Sequence, residues 1–324
     1  MSFFRTKGFK ARDGALLLGV LFLVLLPVMV GHNNYVLNVF THAFLLAALA
    51  LAWNMLGISG AISLGHAAFF GIGAYGSALL SFKQGLSPWL TIPFGGLLAI
   101  GLGLVLSLLC LRLRGAYFAL ATLAFVEIPK VITDNWDGVT QGSLGLIGLP
   151  RFPSVGIGSL HIDIGSSATA SYYLMFIYTL TVLCVVGFLF RSNLGLALQA
   201  IREEEVAAEA AGIPTARYRL IFLLLSGFFT GIGGACYAHL VGCIGPELVY
   251  GIHFSAIPMI LAICGGRFTI LGPALAALII YPVDQFIFHP LFPAGHEFFY
   301  GLVLMLTDLF LPKGIWGSIR PKTA

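Results

Sequence analysis

Four sets of residues in this chain have types and spacings that could do chemistry. Gly71, Gly73 and Gly76, within GHAAFFGIGAYG at 65–76, have the G-x-G-x-x-G spacing that cradles a pyrophosphate when it joins a strand to a helix. Ser59, in GISG at 57–60, has the small-residue setting of an intramembrane serine nucleophile. Such a serine needs a histidine from another segment within hydrogen-bond reach, and His239 and His253 are the candidates. Asn54, Ser59, Ser63 and His66, in WNMLGISGAISLGHAAFF, are polar groups among small residues that could line a wet pathway. The fourth set is charged: Arg202, Glu205 and Glu209, with Ala208 and Gly212, in RSNLGLALQAIREEEVAAEAAGIPTARYR at 191–219.

Which of these can act depends on the elements that hold them, and composition decides that first. Hydrophobic residues make up 59% of the 324 and charged residues only 9%, with a mean hydropathy of +0.98. A soluble domain carries about 25% charged residues, so this chain cannot cover its surface with polar groups. In lipid the backbone must satisfy itself, leaving helices or closed barrels. The apolar runs are long and continuous rather than alternating over about 10 residues, which favours helices.

Runs near the spanning length of about 20 residues fall at 14–31, 36–57, 60–82, 89–111, 115–132, 171–190, 218–240, 252–264, 268–288 and 298–311. The sequence thus predicts an all-α, polytopic helix bundle of about ten spans, one integral domain over 1–324. The first run is followed by HNNYVLN without a small-x-small cleavage site, so it reads as a retained span. The run at 252–264 is short enough for a half-helix or re-entrant segment. Gly57 and Gly60 invite a turn or broken helix over 57–66.

Basic residues give the orientation. With the N-terminus inside, Arg5, Lys7, Lys10, Arg12, Arg112, Arg114, Arg191, Arg202, Arg217, Arg219, Arg267, Lys313, Arg320 and Lys322 are cytoplasmic, 14 of the 17 Lys and Arg. Only Lys83, Lys130 and Arg151 fall on or near the other side. Both termini are therefore expected inside. The formal charge of +4 is dispersed among short loops, which argues against a nucleic-acid partner.

The glycine triplet lies inside a span with no strand before it, so close helix packing is its default, as for Gly227 and Gly231 in GFFTGIGG. For Asn54, Ser59, Ser63 and His66 a pathway and plain helix–helix hydrogen bonding both stand. The five cysteines lack metal-ligand spacing, so neither a structural disulfide nor a metal is expected.

On the cytoplasmic side, Leu194, Leu198, Ile201, Glu205 and Ala208 recur at helical spacing, and Gly212 then Pro214 is a stop signal. The pattern predicts a helix near 195–211 whose small residues and fixed charges suit docking into a groove of another protein. On the opposite side the loop 133–170 is long, rich in Gly, Ser and Pro, and without helical pattern. A loop of that kind is usually functional or disordered. It reads as a docking surface with Asp134, Trp136 and Asp137 as contacts.

EVAAEAAGI followed by RYRL resembles the EAA-type coupling loop of ABC-importer permeases. With AIRE before it, the stretch is similar to the branched-chain amino-acid importer family, its LivM-type permeases in particular. The resemblance continues in SGAISLGHAAFFGIGAYGSALL, RLRGAYFALATLAFVEI, DNWDGVTQGSLGLIGLP and CGGRFTILGPALAALI, over about 35–285. It departs at Gln141, where a TGGS-like sequence has glycine.

The resemblance implies the all-α fold of the larger ABC importers. It also implies a homologous second permease, two cytoplasmic ATPase subunits, a periplasmic solute-binding protein and a place in the bacterial inner membrane. By that analogy Arg202, Glu205, Ala208, Glu209 and Gly212 sit in the helix that receives motion from the ATPase. The solute would be a branched-chain or other hydrophobic amino acid, with urea, amides or small organic acids as the alternative within related importers. The chain has no G-x-x-x-x-G-K-[ST], so ATP and Mg belong to the partner subunits and no cofactor is expected on this chain.

A rival from another class is an ion-coupled secondary carrier, which needs an ionisable group near the bilayer midplane. Glu127 has Lys130 at i+3 to neutralise it, and Asp284 and Asp308 map near span ends. No acid is left as an obvious coupling site.

Overall fold

The computed structural model describes residues 11–110, 113–157, 160–162, 164–293, 295, 297–311 and 314–319. In chain order its helices are α1 (Ala11–Met29), α2 (Asn34–Gly57), α3 (His66–Gln84), α4 (Pro88–Cys110), α5 (Ala116–Asn135) and α6 (Asp137–Thr140). They continue as α7 (Ala168–Arg191), α8 (Asn193–Glu203), α9 (Glu205–Ala210), α10 (Thr215–Val241), α11 (Pro246–Val249) and α12 (His253–Gly265). The last are α13 (Gly272–Val283), α14 (His289–Leu291), α15 (Glu297–Phe310) and α16 (Gly314–Ile319). Four short strands, β1 (Leu146–Ile147), β2 (Val155–Ile157), β3 (Leu160–Ile162) and β4 (Cys243–Ile244), form two antiparallel pairs, β1 with β4 and β2 with β3.

Among the described residues, seven helical segments are long and apolar enough to cross a membrane, and Leu17–Met29 and Phe298–Thr307 are shorter apolar helices. The count of about ten spans is therefore corrected downward on length and composition. Three predicted segments fall short: 14–31 and 298–311, which give those two shorter helices, and 60–82, which forms α3. α3 starts only at His66 and carries five Gly or Ser among its buried positions (Gly71, Gly73, Gly76, Ser77 and Ser81) in place of large aliphatics.

α2 sits at the centre. Every residue from Ala43 to Gly57 is buried, the mark of a helix that is apolar on all sides and enclosed by others. It packs against α7, α10, α12 and α13, while α10 also lies along α3 and α4. The two glycine motifs meet here. A Cβ on Gly73 would overlap the Gly231 backbone, and one on Gly95 would lie 2.6 Å from the Gly73 carbonyl. Small residues thus let α3, α4 and α10 approach at backbone distance. The G-x-G-x-x-G spacing is occupied by packing: Gly71 sits under the Tyr250 ring and Gly76 against Leu98.

The chain between α2 and α3 leaves helical geometry over 58–65, where the sequence anticipates a break. Backbone groups freed at this depth need partners. The Trp53 indole donates to the Ser63 carbonyl at 2.8 Å, Leu64 N–H donates to Thr122 Oγ1 at 3.0 Å, and Gly65 N–H to Ser63 Oγ at 3.2 Å.

Contacts between loops sort them into two ends. At one end Arg202 lies against Gly60, Arg267 against Gly57, Arg114 against Glu205 and Gly314 against Gly266. At the other, Lys83 donates to the Gly138 carbonyl, β1 pairs with β4 and Lys130 meets Glu247. These groupings reproduce the alternation of sides read from the basic residues.

Candidate functional site

The first end carries the acidic, alanine-rich stretch, and there the structure departs from the predicted single helix over 195–211. Glu204 adopts an extended conformation (φ −156, ψ 104) that splits it into α8 and α9. α8 is anchored by Leu198 and Ile201, and α9 by Ala208, all buried. The rest of α9 faces outward: Val206, Ala207, Glu209 and Ala210 are exposed, as are Ala211, Gly212 and, on α8, Leu196. α9 ends in a left-handed glycine. Gly212 (φ +85) follows the helix, Ile213 N–H donates to Ala208 O at 3.0 Å and Gly212 N–H to Glu209 O at 2.9 Å. This pair of bonds satisfies the last carbonyls and demands a residue without Cβ strain.

Glu205 is the hub. Its carboxylate accepts from both Arg219 terminal nitrogens, at 2.8 and 3.0 Å, and lies 3.4 Å from Arg114. The Glu205 and Arg219 side chains are 18% and 16% exposed, so this bidentate pair is shielded in a way surface pairs are not. One carboxylate thereby ties α9 to the start of α10 and to the linker preceding α5. Glu209 accepts from Thr215 Oγ1 at 2.6 Å, a second tie between α9 and α10. Arg202 stacks 4.3 Å over the Phe268 ring and pairs with Glu203. Arg267 faces the same ring at 4.8 Å and donates to Gly57 O at 3.4 Å. Burial, and then the nearby Arg202 charge, pull the Arg267 guanidinium below its ordinary pKa. A cleft of about 250 Å³ opens between these groups, walled by Ser59, Gly60, Arg114, Arg202, Glu205 and Arg219.

Asn54, Ser59, Ser63 and His66 are all buried. Asn54 Nδ2 donates to Thr269 O at 3.0 Å, and His66 Nε2 meets Ser226 Oγ at 2.7 Å. Ser63 Oγ serves the Gly65 backbone. Ser59 hydrogen-bonds its own helix, donating to Leu56 O at 2.8 Å, and alone of the four borders the cleft. Asn54 Oδ1 and His66 Nδ1 have no partner among the described residues.

The serine-nucleophile arrangement is not formed. His239 lies at the far end, 2.9 Å from Ser77 Oγ and 2.7 Å from Pro150 O, and the His253 ring packs tilted against Phe254 at 4.4 Å. Lys130 does approach Glu127, at 3.9 Å, but its nearer partner is Glu247 at 2.9 Å.

At that far end, the segment 133–170 is more structured than a patternless loop. α6, a single turn at 142–144 and β1 follow one another, and β1 pairs Leu146 with Ile244 and Ile147 with Cys243. Leu146, Leu149 and Phe152 are buried. Of the predicted contacts, Asp134 accepts from Ser143 Oγ at 3.2 Å and Asp137 lies against Gly142, while Trp136 is exposed. Leu144 and Ile147 are exposed as well, and nothing in their spacing marked them. Gln141, the departure from the family pattern, has φ +62. Glycine is favoured there for backbone geometry.

The family profile described as "Branched-chain amino acid transport system / permease component" matches residues 35–307. The chain belongs to this family. It is 29% identical to "High-affinity branched-chain amino acid transport system permease protein LivM" of Escherichia coli (strain K12), over 96% of this chain and 78% of that protein. It is 25% identical to "Autoinducer 2 import system permease protein LsrC" of Yersinia enterocolitica, over 91% and 81%. To the "Putative glucose ABC transporter permease protein TsgC13" of Haloferax volcanii it is 29% identical, over 55% and 54%. No solved structure matches. Membership makes the chain an ABC transporter permease, a multi-pass protein of the bacterial inner membrane with no catalytic role of its own. Permeases of this family work in general with an ATPase and a binding protein.

Proposed function

We propose that this permease forms, with a homologous second permease, the pathway for branched-chain or other hydrophobic amino acids delivered by a periplasmic binding protein. Two cytoplasmic ATPase subunits, which hold ATP and Mg, drive it. The match to the amino-acid permease over nearly the whole chain supports the solute class. Because relatives named for other solutes also match, the solute is the point that experiment must decide.

The observation that carries the mechanism is the Glu205 hub beneath an outward-facing α9. The exposed small residues of α9 let a partner groove close on its backbone. A push on α9 passes through Glu205 to Arg219 at the base of α10 and to Arg114 ahead of α5. α10 is packed at backbone distance on α3 and α4, so it moves with them as a body. Close-packed interfaces transmit such displacement instead of absorbing it. Arg202 and Arg267 hold the end of α2 to the same platform through Phe268 and Gly57.

Reconstitution with the partner subunits tests this. Leucine uptake into proteoliposomes should require ATP and the binding protein. ATP-driven uptake of a sugar but not of leucine would replace the solute class, and leucine exchange by this chain alone would replace the whole mechanism with a carrier.

A further inference from the structure

An apolar groove runs along α7 and shares no lining residue with the cleft at the Glu205 hub. Its first part, about 500 Å³, lies between α7 and the start of α13, with Gly187 in its floor and Arg191 at its end. Its second part, about 400 Å³, shares Leu183, Leu271 and Trp316 with the first and continues past Phe176 to α1. The Thr179 hydroxyl in its wall is spent inside the protein, donating within 2.7 Å of Phe44 O and 2.9 Å of Met175 O. The groove therefore offers hydrocarbon along its length and one cation at its mouth. Arg191 is exposed, and no ion pair or hydrogen bond engages it among the described residues.

We propose that this groove is a binding site for an anionic phospholipid, with one acyl chain along α7 and the phosphate at Arg191. The length fits. From Phe176 to Arg191 a helix rises about 22 Å, enough for one leaflet's share, about 15 Å, of the hydrocarbon core and the start of the headgroup layer. The width fits a chain better than a helix. A packed helix of that length and about 10 Å diameter displaces roughly 1,700 Å³, about twice the two parts of the groove together. The charge fits as well, since basic residues at the membrane surface recruit anionic headgroups. Trp316 sits at the level where indoles prefer the interface, and it lines both parts.

Trp316 also supplies the readout. In the assembled transporter, quenching by dibrominated phosphatidylglycerol and dibrominated phosphatidylcholine is compared, with Trp316→Phe subtracted to isolate this indole from the other three. Phosphatidylglycerol should quench at a several-fold lower mole fraction. Arg191→Gln should erase that preference while leaving quenching by both lipids. Gly187→Phe should lower quenching by both, and it has room to fold, since a Cβ there meets only Ile270 Cγ2 at 3.9 Å. Equal quenching by the two lipids in the parent, or a preference that survives Arg191→Gln, overturns the proposal. So does quenching in the isolated chain that disappears on assembly, which would give the groove to another subunit. None of these outcomes depends on which solute is carried.

Discussion

The two ends of the bundle solve the problem of holding a loop in opposite ways. At the far end, 142–152 is locked by backbone pairing with β4 and by the buried Leu146, Leu149 and Phe152. At the Glu205 end, α9 buries one residue, Ala208, and is otherwise held by charge-assisted hydrogen bonds through Glu205 and Glu209. Apolar docking is non-directional and forgiving, whereas a bidentate carboxylate pair fixes orientation and fails when either partner is lost. On the coupling role proposed above, the contrast suits a rigid platform at the far end and a lever at the Glu205 end whose angle matters.

The sharpest way to break this contrast is to cut the hub. Arg219→Ala leaves the largely buried Glu205 with only the longer contact to Arg114 at 3.4 Å. It should cost about 1–3 kcal/mol of stability and lower ATP-driven uptake by tenfold or more, while ATPase activity of the assembled complex persists. Uptake at the parental rate would remove the lever from the mechanism. Next comes Gly212→Asp. The left-handed turn admits a Cβ only with strain of about 1–2 kcal/mol, and uptake should be lost while the protein still inserts, as judged by expression and gel filtration.

At the far end, Leu146→Ala should cost about 2–4 kcal/mol of thermal stability yet change coupling, measured as transport per ATP, less than Arg219→Ala does. A larger coupling defect there would erase the distinction between platform and lever. Trp136→Ala and Leu144→Ala, both on exposed side chains, should leave stability unchanged and raise the binding-protein concentration needed for half-maximal ATPase stimulation. The smallest effect belongs to Gln141→Gly, which relieves a positive φ and should stabilise by about 0.5–1 kcal/mol in a melting experiment.

Much of this was legible in the residues. Continuous apolar runs placed the helices, because lipid leaves the backbone no other way to satisfy itself. Gly57 and Gly60 flagged the break, and Gly212 with Pro214 flagged the stop. Less legible was the division of 191–219, since nothing in the periodicity marks Glu204 as extended. Leu144 and Ile147 could not be told from core leucines, because in a chain this apolar an exposed hydrophobe and a buried one look alike.

What the sequence determined by itself was local: which segments are helical, where they stop, and which side each loop joins. These follow from hydropathy, backbone conformation and charge within a few residues. Tertiary structure alone decided that Glu205 faces Arg219 and Arg114, that Gly73 meets Gly231, and that His66 spends one nitrogen on Ser226. Those partners lie from 14 to 160 residues apart, and no spacing rule reaches across a fold. Only packing, which must fill space and satisfy each buried polar group at once, selects them.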